Sequence, residues 1–246
     1  TLNRPEIHNA FDDQLILELT NFFELANSQK DIQLIILTGA GKSFCAGADL
    51  NWMKRMVNYS EEENLNDSKK LAKMLHVMNN FKKPLVAKVN GAVMGGGVGL
   101  VSVCDHAIAS DRALFALSEV KLGILPAVIS PYVISKIGES YARSTFLSGM
   151  RFRSDKALKM GLIHESVSAE QLDESVEKYV TELLSSGPEA RESAKTLVKK
   201  IIEYGSDESG KEEYSCRLIC QVRVSKEGQE GMGALLEKRK PNWVNQ

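Results

Sequence analysis

The chain has 246 residues, enough for one large domain or for a domain with an appendage. A hydrophobic fraction of 43% and a charged fraction of 26% are ordinary for a globular protein, so neither a disordered nor a fibrous chain fits. A formal net charge of −1 excludes a general attraction to nucleic acid or to an anionic membrane surface, and any polyanionic ligand must be met by local basic groups.

The chain opens on Thr1-Leu2-Asn3-Arg4 without Met, so a targeting segment removed ahead of it is compatible with the sequence. Phe11, Leu15, Leu19, Phe22 and Ala26 recur at helical spacing, and Asp12 and Asp13 suit the start of that helix. Leu34–Thr38 reads as a strand, and the small residues from Gly39 to Leu50 read as a loop. Asn51–Tyr59 has no clear period and is expected to be a mobile flap. Ser60 and Glu63 form a capping box for a helix to about Phe81, with Leu71, Leu75 and Met78 as its apolar stripe. Leu85–Val89 is a strand broken by Asn90-Gly91, and a helix is expected to start at Gly95-Gly96-Gly97. A strand at His106–Ala109 follows, then the mostly uncharged run Phe115–Glu119. Ala127–Ile137 is expected to be helical, with Pro131 in its first turn or bending it.

Ser154-Asp155 is expected to cap a short helix that Gly161 ends. Ser168 and Gln171 suggest a second capping box, ahead of a buried stripe of Leu172, Val176, Val180 and Leu183. Gly187-Pro188 is the best boundary, dividing a core domain (1–187) from a helical region (188–246). Helices are expected at Pro188–Tyr204, at Glu208–Lys226 and around Ala234–Lys238, and no strand candidate lies beyond the boundary. No apolar run reaches membrane-spanning length, because Lys88, Asn90 and Pro126 interrupt the best candidates.

Two stretches carry chemistry together. Consecutive glycines between apolar runs cost conformational entropy and make sense where bare backbone must approach something closely. The first N–H groups of a helix starting there have no intrahelical partner. The Gly39–Leu50 loop also follows a strand and also offers unpaired N–H groups. Two such donors converging on one point would make an oxyanion hole. A tightly packed turn with a surface Glu119 is the structural alternative.

Ser43–Leu50, the glycine run to Gly99-Leu100, Cys104-Asp105, Phe115–Glu119 with Gly123 and Pro126, the opening Leu2–Pro5 and the closing Glu237–Pro241 together resemble the crotonase (enoyl-CoA hydratase/isomerase) superfamily. The resemblance covers nearly the whole chain. Ala48–Met56 and Pro126–Val133 look most like the methylglutaconyl-CoA hydratases of leucine breakdown. The resemblance implies an α/β fold, a spiral of ββα units with a C-terminal helical region, assembled as a homotrimer or a dimer of trimers. It implies an acyl-CoA thioester substrate, with coenzyme A as part of the substrate and no separate cofactor or metal. Nucleic acid and membrane are not expected partners. The implied compartment is the cytoplasm, or the mitochondrial matrix in a eukaryote.

By the same resemblance, the N–H groups of Ala48 and Gly96 hold the thioester oxygen, and Glu119 is the acid/base. Ala46, Ala48 and Leu50 border the adenine, and Lys238 reaches coenzyme A on a neighbouring subunit. Arg4 and Lys42 are weaker phosphate candidates, with a solvated surface charge as the alternative for each. Lys54, Arg55 or N–H groups of a helix starting near Ser130 could meet a distal carboxylate on the acyl chain. The common hydratase pattern has a second Glu where this chain has Gly99. That departure keeps a Δ3,Δ2-enoyl-CoA isomerase as the second reading and a catalytically silent CoA-binding protein as the third.

Other motifs carry less. Gly41-Lys42-Ser43 lacks the first glycine of a phosphate loop, since Ile36 occupies that place. Leu100 stands where a dinucleotide fingerprint needs its third glycine. Cys216 and Cys220 lie one helical turn apart without further ligands and read as a core-facing or interface pair. Of His8, His76, His106 and His164, none sits in a nucleophile motif, and His106 reads as a packed, hydrogen-bonded residue. Cys45 adjoins the candidate oxyanion loop but has nothing near it in sequence to lower its pKa, so a packed thiol is the expected reading.

Overall fold

The structure, a computed structural model, describes residues 1–245. Its strands are β1 (Ile35–Leu37), β2 (Ser43–Cys45), β3 (Leu85–Val89), β4 (Ala92–Met94), β5 (His106–Ser110), β6 (Leu114–Ala116), β7 (Phe152–Arg153) and β8 (Glu165–Val167). They form two four-stranded sheets, in the orders β1-β3-β5-β8 and β2-β4-β6-β7. The first is parallel throughout, with Ile35 opposite Leu85, Val86 opposite His106 and Ile108 opposite Glu165. The second is parallel except where β6 meets β7. From β1 to β6 successive strands alternate between the sheets, so β1/β2, β3/β4 and β5/β6 are repeats of one unit, each followed by helix. This is the expected spiral of ββα units. β3 and β5 are almost wholly buried, as parallel strands covered on both faces must be, which is why they read as apolar runs rather than alternating ones.

The helices are α1 (Asp13–Ala26), α2 (Leu50–Met56), α3 (Glu61–Asn79), α4 (Gly96–Ser102), α5 (Ser130–Ser148), α6 (Ser154–Lys159), α7 (Leu172–Ser185), α8 (Pro188–Glu203), α9 (Glu208–Val224) and α10 (Lys226–Leu236). The capping box of α3 is complete, with the Ser60 hydroxyl accepting from Glu63 N–H and the Glu63 carboxylate accepting from Ser60 N–H. In α1 the expected stripe holds in part: Ala26 is buried and Leu15 and Leu19 pack against the core, but Phe11 and Phe22 depart from it. Phe11 precedes the helix, because Asp12 is its cap and accepts from Leu15 N–H at 2.9 Å. The inward face is therefore Ile16, Thr20, Phe23 and Ala26, and Phe22 points outward.

The expected flap at 51–59 is instead mostly α2. Asp49 caps it, accepting from Asn51 and Trp52 N–H at 2.6 and 3.3 Å, and Trp52 anchors it in the core. Helix α5 keeps Pro131 in its first turn, turns at Gly138 (φ 70°, ψ 166°) and runs on to Ser148. Ser154 does not cap α6; it is the first helical residue, and its hydroxyl donates to Asp111 O. The Ser168 hydroxyl donates to the Gln171 side chain rather than accepting a backbone N–H, so that capping box is absent. Ser225 separates α9 from α10 by accepting from Gly228 N–H, which starts the last long helix earlier than its apolar residues suggest.

The chain divides into two compact units. One holds Thr1–Phe81 and Leu85–Val176, and the other Lys82–Pro84 and Glu177 onward. Phe23, Phe44, Phe81, Phe115, Leu100 and Ile108 are among the largest fully buried side chains of the first. In the second unit, the Glu227 carboxylate accepts the first-turn N–H groups of α8 from Glu189 and Ala190, at 2.9 and 2.7 Å. Gly187 leaves room for that carboxylate, since a β-carbon there would lie 2.3 Å from Glu227 Oε1. Among the described residues, no helix is long and apolar enough to cross a membrane.

Candidate active site

The site is built from three backbone segments of the first unit. The first is the loop after β2. Ala48 makes an isolated parallel bridge with Phe11, in which Phe11 N–H donates to Gly47 O at 2.8 Å and Asp49 N–H donates to Phe11 O at 2.9 Å. A parallel bridge of this kind uses the groups flanking Ala48 and turns Ala48's own N–H to the opposite edge. Among the described residues, nothing accepts that N–H. Gly47 allows the turn with a φ of 87°.

The second segment is the start of α4. Gly95 N–H donates to Ala116 O, and Val98 N–H donates to Gly95 O, both at 2.8 Å. Gly96 and Gly97 fall between them, too early in the helix for an intrahelical acceptor, and no other described group accepts their N–H. The absence of side chains here is a packing requirement. A β-carbon on Gly97 would lie 2.6 Å from Cys45 O, and one on Gly47 would lie 2.9 Å from Met94 O and 3.8 Å from Gly96 N. The two small-residue segments thus lie against each other, and the free N–H groups of Ala48 and Gly96 belong to the same corner. Both residues are half-buried.

The third segment brings the acid. Glu119 follows β6 and opens a short 3-10 turn, Glu119–Leu122. Its Oε1 lies 3.1 Å from where a β-carbon on Gly95 would be. Its Oε2 is buried without a hydrogen-bond partner. Burial raises its pKa above the ordinary carboxylate value, and its own backbone N–H offsets part of that. A carboxylate in this condition is a good proton acceptor beside two unused donors.

Gly99, one turn beyond Gly95 on α4, is buried and faces apolar groups. A β-carbon there would lie 2.5 Å from Ile129 Cγ2 and 2.9 Å from Ile129 Cβ. Ile129 therefore fills the room that any side chain at residue 99 would need, so no second acid stands there beside Glu119.

The remaining candidates divide. Ala46 is half-buried with its N–H given to His8 O, and Leu50 is largely exposed at the start of α2. Lys42 and Lys54 are exposed. Arg4 is neither a phosphate ligand in waiting nor a solvated charge, because it is paired with Asp12 at 2.8 Å and with Asp49 at 3.1 Å. Arg55 pairs with Asp13 at 2.6 Å. In the first turn of α5, Ser130 N–H donates to Ala127 O, Tyr132 and Val133 N–H donate to Ile129 O, and Pro131 has none, so those groups are not left for a carboxylate. Lys238 belongs to the second unit, where it takes a left-handed φ of 57° after α10.

The Cys45 thiol is pushed up to about 12 by burial, which leaves it protonated and packed. His106 is stacked on His164 with centroids 4.4 Å apart and lies 3.3 Å from the Glu165 carboxylate. Cys216 and Cys220 are exposed on α9, so that pair does not face a core. Sequence reasoning missed Phe11, Asp49 and Ile129. An Asp three residues before a Trp-Met pair was a readable cap signal. The contacts of Phe11 and Ile129 are long-range and carry no local signature.

A family profile described as Enoyl-CoA hydratase/isomerase matches residues 1–246. The chain is 34% identical over 246 residues to a protein of Dictyostelium discoideum named "Probable enoyl-CoA hydratase, mitochondrial", covering 100% of this chain and 86% of that one. It is 30% identical over 244 residues to the "2,3-dehydroadipyl-CoA hydratase" of Escherichia coli (strain K12), covering 99% and 93%. Among solved structures, an enoyl-CoA hydratase from Shewanella pealeana superposes with a TM-score of 0.93 at 40% identity, covering 98% of this chain and 89% of that one. With a match along its whole length, the chain belongs to the enoyl-CoA hydratase/isomerase family, the crotonase superfamily.

Proposed function

We infer that the chain adds water across the conjugated double bond of an enoyl thioester of coenzyme A. The observation that carries this reading is Glu119, whose buried, unpartnered Oε2 belongs to a carboxylate set against Gly95, beside the free N–H groups of Gly96 and Ala48. Glu119 takes a proton from water as the water oxygen bonds to the β-carbon. The electron pair of the double bond moves toward the thioester oxygen, and Ala48 and Gly96 N–H donate to it there. Glu119 then returns a proton to the α-carbon. One water is consumed, and the carboxylate ends as it began. Donors aimed at the enolate oxygen favour the transition state over the ground state, and losing one costs about 10²–10³ in rate. The test is loss of the conjugated enoyl absorbance with wild type and with Glu119→Gln. Turnover by the variant at the wild-type rate defeats the assignment.

The finer reading is a branched acyl group with a distal carboxylate, as in 3-methylglutaconyl-CoA. Two observations support it: a wall of Ile129 rather than a second acid at Gly99, and an exposed Lys54 on the helix that leaves the Ala48 loop. A relative named for a dehydroadipyl thioester has a substrate of related, dicarboxylic chemistry. The exposed apolar groups Val198, Ile202, Leu235 and Leu236 suit 188–246 as an oligomerisation region. In the trimer or dimer of trimers we propose, Lys238 reaches coenzyme A of a neighbouring subunit, and Ala46, Ala48 and Leu50 border the adenine. The single acid also favours a second reading, a Δ3,Δ2-enoyl-CoA isomerase, because moving one proton needs one base.

A further inference from the structure

Phe11 touches both candidate oxyanion donors and neither reacting atom. Its backbone makes the bridge that occupies Gly47 O and Asp49 N–H and so turns Ala48 N–H outward. Its ring lies on the other donor: a β-carbon on Gly96 would be 2.1 Å from Phe11 Cζ and 2.8 Å from Cε1. The ring edge is therefore in contact with the Gly96 α-carbon itself. Phe11 is only 2% exposed, and its ring packs on Trp52 with centroids 6.0 Å apart. Trp52 is in turn fixed by α2, whose cap is Asp49, the residue that donates to Phe11 O. The contacts close a ring from Phe11 through Ala48, Asp49 and Trp52 back to Phe11, with Gly96 pressed against it.

We infer that Phe11 is a positioning residue of the oxyanion site, its backbone aiming the Ala48 N–H and its ring setting how closely Gly96 approaches. The inference rests on the hydratase reading above. The physical reason is that two N–H donors on separate segments act together only if their separation is held to a fraction of an ångström. One residue bonded to the first segment and packed on the second holds that separation directly. The ring also keeps water from the α-carbon side of Gly96.

The test uses Phe11→Leu and Phe11→Tyr. Leu keeps the backbone bridge and the apolar burial but leaves space above Gly96. Tyr keeps the ring, but its hydroxyl on Cζ is driven into the Gly96 backbone. Folding of each is checked by thermal unfolding and solution mass. The readouts are kcat and KM, together with the absorption of a bound cinnamoyl-CoA carrying a para-dimethylamino group, which moves to the red when its thioester oxygen is hydrogen-bonded. With one donor misplaced, kcat is expected to fall about 10-fold in Phe11→Leu and about 100-fold in Phe11→Tyr, with KM within about threefold of wild type. The red shift shrinks in the same order. A variant that keeps the full red shift, whether or not kcat falls, overturns the inference, because the donors are then still in place. So does a rise in KM at unchanged kcat. Failure of the hydratase reading looks different: wild type itself then gives no red shift and adds no water.

Discussion

Gly95 and Glu119 are so close that a single methyl group on the glycine would touch the acid, 3.1 Å from Oε1. Gly95 also has a φ of 51°, which an L side chain adopts at a cost. Gly95→Ala is therefore expected to lower turnover by about tenfold or more, by pushing the base from its place and straining the start of α4. Steady-state kinetics beside a thermal melt check this. A variant that melts lower but turns over normally contradicts it.

Glu119→Gln is expected to lose about 10²–10⁴ in kcat while acyl-CoA binding persists. It also has a stability signature. Burial raises the Glu119 pKa in the folded chain, so folding favours the protonated form. Its stabilising effect is complete below the unfolded value near 4.5 and is lost as pH rises through the folded value. Gln cannot ionise. The melting temperature of Glu119→Gln relative to wild type should therefore rise as pH is raised from 4.5. A difference independent of pH would mean that Glu119 is not desolvated.

A side chain at residue 99 has no room while Ile129 is present, since the two would approach to 2.5 Å. Gly99→Glu alone is expected to destabilise the protein by about 1–3 kcal/mol or more, from overpacking and a buried charge. Ile129→Ala placed beside it should recover part of that loss, although each change alone is harmful. Denaturant melts of the two single variants and the double variant measure the coupling. Additive losses would contradict the contact.

These elements differ in how far they could be read ahead of the structure. The strands β3 and β5 and the cap of α3 were legible because burial on both faces and a Ser-to-Glu spacing are local facts. β2 and β4 were not, because three residues such as Ser43–Cys45 make a strand only through the partners they find. At the site, Glu119 and the glycines stood out by residue type. The role of Ile129 was hidden, since its contact with Gly99 depends on how α4 and α5 pack. The start of α1 was hidden for a similar reason: Phe11 looked like the first helical residue, and its real partner is Ala48.

His164 gives a prediction away from the site. Its Nδ1 accepts Ala107 N–H at 3.0 Å, and burial, with Lys136 and His106 nearby, holds its pKa at about 4. The unfolded chain takes up this proton near 6.5 and the folded chain does not, so stability falls as pH drops from 6.5 toward 4. His164→Asn keeps an acceptor for Ala107 and removes the titration. Its melting temperature should fall less than that of wild type across this window, and parallel profiles would contradict the account.

Glu119 and its two N–H donors are expected to add water to a conjugated enoyl thioester. The most direct measurement is mass spectrometry of products formed from 3-methylglutaconyl-CoA and crotonyl-CoA in ¹⁸O-labelled water. The expected product is heavier by one labelled water, forms with a higher kcat/KM from 3-methylglutaconyl-CoA and is lost in Glu119→Gln. A β,γ-enoyl thioester converted to its conjugated isomer without label, with no label entering either conjugated substrate, would contradict it.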